Sequence, residues 1–285
     1  MKCFLGNVPI DRVRIMGAIN VSPESFYKGS VRVSYGEIAK AASYIEENGA
    51  DFIDIGAMST APYLKTMISQ EKEIERIKIA VKAVRDASSL PISIDTPRAA
   101  SAEVALDLGA TIVNDVTGLK YDPSMAKTVH GYDASIILCA YERNTVSGNI
   151  IKTTLKALRK SVIIANSANI RSNKIVIDPA IGFFRKKGTH QFFTKMKGTN
   201  WFDRDLILIN KLRMFQILRK PICVSVSRKS FIGKILNLDP DDRLFGSIAT
   251  EAVCVLNGAS IIRTHNVRET VHAVRIAETL LKYAH

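Results

Sequence analysis

Residues 92–115, ISIDTPRAASAEVALDLGATIVND, contain an apolar run, a helical segment and a second apolar run. The runs at 92–94 and 111–113 are short and rich in β-branched residues, which is typical of strands. Between them, residues 99–108 place apolar side chains at helical spacing. A strand, a helix and a strand in this order predict two parallel strands joined by a crossover helix.

The same unit recurs along the chain. Strand-length apolar runs occur at 13–19, 52–55, 92–94, 111–113, 135–138, 174–177, 222–224 and 260–262. Helical periodicity separates most of them, at 35–47, 71–87, 99–108, 151–165, 205–218, 242–256 and 267–283, and the connection around 123–129 has the weakest pattern. Runs that are apolar throughout predict strands buried on both faces, as in a parallel sheet covered by helices.

Eight such units in 285 residues favour a closed barrel over an open doubly wound sheet. No G-x-G-x-x-G motif follows the first run, which removes the main support for a dinucleotide-binding sheet. No stretch rich in Ser, Gly or Pro divides the chain. The sequence therefore predicts an α/β fold, a (β/α)8 TIM barrel, as a single domain over 1–285.

The net charge of +13 comes from 40 Lys and Arg against 27 Asp and Glu, spread along the chain. Many cations alternate with acids, as a solvated helix face does, in Glu71, Lys72, Glu73, Glu75, Arg76 and Lys78. Charge alone gives little support to a nucleic-acid partner.

Cysteine spacing and hydropathy bear on the compartment. The four cysteines lie far apart and form no zinc-binding or disulfide spacing, so we expect reduced thiols. No apolar stretch reaches the roughly 18 residues of a membrane helix, and the N-terminus does not resemble a signal peptide. We expect a cytoplasmic protein without membrane association.

Polar residues follow nearly every predicted strand, where the active site of such a barrel lies. Asp95, Asn114 and Asp178 end three of the strands, and Lys229 follows a fourth. Carboxylates and an ammonium in one cleft suit a ligand with several N–H donors and a carbonyl, such as a pterin. Phe183 is placed to cover its flat ring.

A second group of polar residues suits an anion. Arg263 and His265 lie two apart on the last strand, so their side chains point the same way and are expected to address one anion. Ser59 and Thr60 supply hydroxyls for phosphate, and Asn20 supplies an amide oxygen for a metal ion.

Eight motifs in order resemble the dihydropteroate synthase family. They are Asn20-Val-Ser-Pro-Glu-Ser-Phe26, Gly49-Ala-Asp-Phe-Ile-Asp54-Ile-Gly56, Ser59-Thr60, Ile94-Asp95-Thr96, Asn114-Asp115, Asp178-Pro179, Ser227-Arg-Lys229-Ser-Phe-Ile-Gly233 and Arg263-Thr264-His265. The resemblance runs from about residue 16 to residue 281, and the motif beginning at Ser227 is the most specific.

This resemblance implies a transferase in which an arylamine displaces pyrophosphate from a dihydropterin-methyl pyrophosphate, in folate or methanopterin biosynthesis. By the same resemblance the pterin is held by Asp95, Asn114, Asp178 and Lys229, beside the ring-covering Phe183 predicted above. The pyrophosphate and arylamine side is formed by Ser59, Thr60, Ser227, Arg228, Arg263 and His265. Lys229, Arg263 and His265 are the expected catalytic residues, Mg²⁺ at Asn20 the expected cofactor, and a homodimer the expected assembly.

The chain departs from the family on the arylamine side. The second loop reads Met58-Ser59-Thr60-Ala61-Pro62 and lacks the usual glutamate and arginine. Lys28 stands where an acid is usual, Arg185 replaces a lysine, and Asn266 replaces a common Asp. Some archaeal relatives are thought to use a phosphoribosylated aminobenzene. Lys28 and the basic loop Arg185-Lys186-Lys187 suit such an amine. Both this amine and para-aminobenzoate are therefore candidates for the second substrate.

The sequence is also consistent with two other functions. A methyltetrahydropterin-dependent corrinoid methyltransferase shares the barrel and the pterin pocket but has no need of the Arg263 and His265 pair. A pterin-binding protein without catalysis is consistent with the missing loop residues.

Overall fold

The computed structural model describes residues 2–25, 27, 29 and 31–283, and most of its strands form one parallel sheet. A hairpin of β1 (Phe4–Leu5) and β2 (Val8–Pro9) precedes it. In chain order the eight sheet strands are β3 (Arg14–Asn20), β4 (Phe52–Gly56), β5 (Ile92–Asp95), β6 (Ile112–Asp115), β7 (Ser135–Cys139), β8 (Ile175–Asp178), β11 (Cys223–Val224) and β12 (Ile261–Thr264). A separate parallel pair is formed by β9 (Phe184–Arg185) and β10 (Thr194–Lys195).

The sheet closes on itself. Neighbours in the chain are neighbours in space from β3 to β8, while β12 pairs with both β3 and β11. A parallel bridge between Ile177 and Ile222 joins the two remaining edges. Closure removes exposed sheet edges, which is the arrangement of a (β/α)8 barrel and confirms the predicted fold.

Helices cover the outside of the barrel. They are α1 (Tyr35–Glu47), α2 (Gln70–Ala87), α3 (Ala99–Asp107), α4 (Met125–Gly131), α5 (Ile150–Ser167), α6 (Trp201–Asn210), α7 (Ser230–Leu236), α8 (Leu244–Leu256) and α9 (Val267–Lys282). Ser34 starts α1 with a capping box to Glu37, which satisfies orphan N–H groups of the first turn. The weakly patterned connection at 123–129 does contain a helix, α4.

The N-terminal hairpin closes the lower end of the barrel. Leu5, with no solvent exposure, packs inside against Met16 and Phe52. The amide of Gly6 donates to Ser135 at 2.9 Å, and a Cβ on Gly6 would lie 2.9 Å from the Thr111 hydroxyl. Because the hairpin fills this end, the carboxyl ends of the strands form the accessible mouth.

Several parts of the secondary structure differ from the sequence prediction, including the short helix α7, which no predicted segment covers. The helix predicted at 205–218 is α6 followed by a 3-10 helix, Leu212–Leu218. Leu212 and Phe215 are both buried in it, and their three-residue spacing suits the tighter helix. The hairpin, β9 and β10 were not predicted, since two-residue strands carry no periodic signal.

No helix in 2–25, 27, 29 and 31–283 is long and apolar enough to cross a bilayer.

Candidate active site

A cleft opens at the carboxyl ends of the barrel strands and encloses about 900 Å³, including solvent at its mouth. Most of the residues predicted for the site line it: Asn20, Ser59, Thr60, Asp95, Asn114, Asp178, Phe183, Ser227, Lys229, Arg263 and His265. Residues from distant parts of the chain therefore meet in one cleft at the strand ends.

Arg263 lies at the bottom of the cleft between two acids. Its Nε is 2.5 Å from Oδ2 of Asp54, and a terminal nitrogen is 3.1 Å from Oδ2 of Asp95. The amide of Asn114 donates to the same Asp54 oxygen at 3.3 Å. Asp54 belongs to the second family motif, but the sequence did not predict it as a site residue or as the partner of Arg263.

Several ionisable groups of the cleft have shifted pKa values, among them two acids and a lysine. Desolvation raises the pKa of Asp95 to about 7, against the opposing charge of Arg263. Desolvation likewise raises the pKa of Asp178 to about 6, opposed by an N–H donated from Ala180 at 2.6 Å. Burial lowers the pKa of Lys229 to about 8. Shifts of this kind in a cleft are typical of a functional site.

Lys229 is held against the loop after β8. Its Nζ lies 4.4 Å from the centre of the Phe183 ring, a cation–π contact. Gly182 has a φ of +90°, and a Cβ there would lie 3.1 Å from Cδ of Lys229. A glycine is therefore needed where this loop passes the lysine.

A buried arginine supports this loop from below. Arg204 of α6, 1% exposed, donates to the carbonyl oxygens of Pro179 and Ala180 at 3.0 and 3.1 Å. Asp205 beside it accepts the Gly182 amide at 2.9 Å. Arg204 also lies 3.5 Å from the centre of the Phe184 ring. These supports were not predicted, because helical periodicity identifies the buried face of α6 but not its hydrogen bonds.

His265 lies beside Arg263 on the cleft wall, as predicted. Desolvation, followed by the positive charges of Arg263 and Lys229, lowers the pKa of His265 to about 3. Its Nδ1 is buried and has no hydrogen-bond partner among the residues described. The imidazole is therefore neutral at pH 7, and Arg263 is already paired with two acids.

The first loop, after β3, is held by an ion pair to α2. Glu24 contacts Arg76 through two bonds of 3.0 Å, and this contact lowers the pKa of Glu24 to about 2. Arg76 also donates to the Ala57 carbonyl at 3.1 Å, joining the first two loops.

The prediction that Arg76 and Glu73 belong to a solvated helix face is wrong. Glu73 has no solvent exposure and pairs with Arg98 at 2.6 Å.

Arg228 is missing from the described residues that line the cleft. Its guanidinium donates to Asn266 at 3.1 and 3.2 Å and to the carbonyl oxygens of Pro240 and Asp241. It also lies 4.7 Å from the Tyr27 ring centre. Arg228 thus supports neighbouring loops and does not face the ligand space.

The basic loop also differs from the expectation. Arg185 is buried, lies 3.6 Å from Asp205 and packs 4.4 Å from the Trp201 ring centre, and it is not among the described residues that line the cleft. Lys186 and Lys187 are exposed. Lys28, and Phe26 of the first motif, lie outside the described residues.

The barrel and its cleft define a class of enzyme: one that holds a polar, flat heterocycle between acids, an amide and a lysine at the strand ends. Comparison with known proteins agrees. Residues 16–265 match the family model described as "Pterin binding enzyme". The dihydropteroate synthase of Clostridium beijerinckii is 32% identical over 95% of this chain and 96% of its own. That of Bacillus subtilis is 30% identical over 95% and 90%.

Solved structures give the same result. A dihydropteroate synthase from Clostridium difficile, determined in the presence of pteroic acid, superposes with a TM-score of 0.82 at 33% identity, covering 95% of this chain and 97% of that one. The Yersinia pestis enzyme with a sulfonamide drug superposes with a TM-score of 0.87 at 26% identity, covering 99% and 100%. The chain belongs to the pterin-binding enzyme family, and within it is similar to dihydropteroate synthases.

Proposed function

We propose that this enzyme transfers the methylene carbon of a dihydropterin-methyl pyrophosphate to an arylamine and releases pyrophosphate. The observation that carries the proposal is the convergence of Asp95, Asn114, Asp178 and Lys229 on one cleft in a chain of this family. The carbon–oxygen bond breaks with its electron pair leaving on pyrophosphate, the amine nitrogen bonds to the carbon, and the amine proton passes to solvent.

The acids and the lysine bind and orient the pterin. In their ionised forms Asp95 and Asp178 accept hydrogen bonds from the N–H groups of the ring, and the Lys229 ammonium donates to a ring oxygen or nitrogen. Phe183 packs beside the lysine and is placed to cover the ring face. Fixing the ring in this way aims the methylene carbon toward the mouth, where the amine enters.

The groups that we propose contact the pyrophosphate are mainly uncharged hydrogen-bond donors, not unpaired cations. Ser59, Thr60 and Ser227 bring hydroxyls to the cleft, and His265 brings an uncharged imidazole. The charge of Arg263 is largely matched by Asp54 and Asp95. Additional positive charge is therefore needed to stabilise a departing pyrophosphate.

We propose Mg²⁺ as the source of that charge. Asn20 lines the cleft, and a Cβ on Gly56 would lie 3.1 Å from its amide oxygen. The part of the chain that the structure describes holds no cluster of three His, Cys, Asp or Glu side chains suited to a metal. One amide oxygen fits an ion that arrives with the substrate, since Mg²⁺ commonly keeps waters and phosphate oxygens as ligands.

The arylamine we propose is para-aminobenzoate. Arg185 is one of the basic residues that suggested a phosphorylated amine, but its guanidinium points inward to Asp205. Pro62 and Tyr63 line the cleft. The two relatives named above are dihydropteroate synthases.

We also propose a homodimer formed through α8 and α9, in a cytoplasmic protein. Phe245, Ile276 and Leu280 on these helices are 84%, 66% and 58% exposed. Helices α8 and α9 pack side by side, and Ile276 and Leu280 line a groove between them with Ile248 and Ala252. Exposed apolar side chains of this kind are typical of a protein interface, and a second copy would cover the same surface on its partner. The mass in solution tests this, with Ile276→Glu expected to give a monomer.

The cytoplasmic location is supported by Cys139, Cys223 and Cys254, which are buried and form no disulfide.

Pyrophosphate release tests the function. The enzyme is mixed with dihydropterin-methyl pyrophosphate, with and without Mg²⁺, and with para-aminobenzoate or its phosphoribosyl analogue. We expect release that depends on Mg²⁺ and prefers para-aminobenzoate. Asp178→Asn is the matched variant and should retain the fold but lose pterin binding. Wild-type pterin binding without turnover of either amine would reject the proposal.

A further inference from the structure

The second loop, residues 57–69 between β4 and α2, forms one wall of the cleft. Ser59, Thr60, Ala61, Pro62 and Tyr63 all line it. The inner part of this loop is fixed locally, because the Thr66 hydroxyl donates to the Ser59 carbonyl at 2.6 Å. The outer part, 61–64, carries carbonyl groups that turn toward a different region of the chain.

These carbonyls are bound by residues 188–193, which lie between β9 and β10 and which we call the latch segment. His190 Nε2 is 2.9 Å from the Ala61 carbonyl oxygen. The Thr189 amide donates to the Pro62 carbonyl at 2.8 Å, and its hydroxyl donates to the Leu64 carbonyl. Two adjacent residues thus bind three carbonyls of the second loop.

The second bond of His190 assigns its tautomer. The backbone amide of Phe192 donates to Nδ1 at 3.1 Å, so Nδ1 carries a lone pair. A neutral imidazole then carries its proton on Nε2 and donates it to Ala61. Burial lowers the pKa of His190, which favours this neutral form. The ring therefore links the second loop to the backbone of the latch segment.

The latch segment has anchors of its own. Phe192 has no solvent exposure and packs with Met58 and Val116 beneath the cleft. The hydroxyl of Tyr141 donates to the Gln191 carbonyl at 2.9 Å. Because the segment is fixed to the loops after β6 and β7, it is the partner that holds the second loop.

We propose that His190 is a positioning residue, which holds the outer second loop over the cleft so that Ser59 and Thr60 face the pyrophosphate. His190 does not line the cleft and acts through the backbone of the second loop, at Ala61 and Thr60. The proposal rests on the proposed function for its kinetic consequence, while the loop contact itself is independent of it.

Two substitutions separate the two bonds of the ring. His190→Asn keeps an acceptor near the Nδ1 position, for the Phe192 amide, and removes the donor to Ala61. His190→Gln keeps a donor near the Nε2 position and removes the acceptor. If the Ala61 bond is the one that matters, the Gln variant resembles wild type and the Asn variant does not.

The kinetic test compares KM and kcat. Losing one hydrogen bond that closes the loop should raise the KM for the dihydropterin-methyl pyrophosphate about five-fold in the Asn variant, with kcat changed less than about two-fold. The Gln variant should stay within about two-fold of wild type in both. Equal loss in both variants, or loss mainly in kcat, would overturn the proposal.

A second test needs no turnover. Lys65 is exposed in the second loop, so trypsin cleavage after Lys65, followed by mass spectrometry, reports release of the loop. We expect cleavage about five-fold faster in the Asn variant than in the Gln variant and wild type. Equal rates in all three proteins would overturn the latch even if the enzyme is active. A wild-type enzyme without turnover but with the expected cleavage difference would refute only the proposed function.

Discussion

Arg263 and Asp54 form the tightest ion pair of the cleft, with Nε of the arginine 2.5 Å from a carboxylate that has no solvent exposure. The same guanidinium reaches Asp95 at 3.1 Å, so one cation lies between two acids. Desolvation is the largest cause that raises the pKa of Asp95; Arg263 opposes it, and the Asp54 charge adds to it. The pair therefore contributes to how readily Asp95, an acid that we propose binds the pterin, ionises.

The first prediction concerns the pH profile of kcat/KM. Activity should rise between about pH 5 and 7.5 as Asp178 and Asp95, with pKa values of about 6 and 7, lose their protons. It should fall above about pH 8 as Lys229 becomes neutral. In Asp54→Asn the negative charge that adds to the desolvation of Asp95 is gone, so the pKa of Asp95 should fall and the acid limb should move to lower pH. Asp11→Asn, at an acid 53% exposed, is the control and should leave the profile unchanged. An unmoved acid limb in Asp54→Asn would contradict the coupling.

The second prediction concerns stability. The pKa of Asp178 is about 6 in the folded protein against a usual 3.8, so the folded state binds this proton more tightly. This contribution to stability is complete below pH 3.8 and is lost as the pH rises through about 6. Asp178→Asn does not titrate, so its free energy of unfolding relative to wild type should increase by about 2 kcal/mol between pH 4.5 and 7.5. Urea unfolding at several pH values measures it. A difference independent of pH would show that Asp178 is not buried as described.

The third prediction separates a neutral histidine from a charged one. Because His265 has a pKa of about 3, it contributes hydrogen bonds and no charge at pH 7. His265→Gln keeps an amide donor and should retain kcat within about ten-fold, whereas His265→Ala should lose about a hundred-fold. Steady-state rates at pH 7.5 make the comparison. Equal losses in both variants, with a wild-type rate that falls as the pH rises through 6.5, would instead indicate an imidazolium.

Much of this site follows from where polar residues lie relative to strands. Asp95 and Asn114 end apolar runs, and parallel strands bring such ends to one edge, so their meeting was predictable before any coordinates. The pairing of Arg263 with Asp54 was not, because both residues also fit other roles at a strand end. To recognise the pair one must know how far Asp54 lies from Arg263 in the folded barrel, and the sequence does not give this distance.

Contacts between loops were predictable only in part. Arg228 belongs to the most specific motif, yet its neighbours Pro240 and Asp241 contribute backbone oxygens, which leave no pattern in a sequence. The same holds for the carbonyl of Ala61 bound by His190. A sequence shows which side chains are present. It does not show which backbone carbonyl accepts a hydrogen bond, because every residue has one.

The fourth prediction uses the loop beneath Lys229. Ala180 has a φ of +58°, a left-handed conformation that costs an L-residue about 1 kcal/mol or more. Ala180→Gly relieves this strain and should raise the free energy of unfolding by about 0.5–1 kcal/mol, after the added entropy of an unfolded glycine is offset. The KM for the pterin should not change, since the methyl group of Ala180 is buried below the cleft.

Gly182→Ala is the matched opposite change two residues on. It places a methyl group at a φ of +90° and 3.1 Å from the Lys229 side chain, so it both strains the backbone and displaces the ammonium. Stability should fall by about 1 kcal/mol or more, and the KM for the pterin should rise. Denaturant unfolding and steady-state kinetics on the two variants measure both effects. Retention of pterin affinity in Gly182→Ala would mean that Lys229 does not depend on this loop for its position. Loss of pterin affinity in Ala180→Gly would contradict the expectation that its methyl group is remote from the ligand.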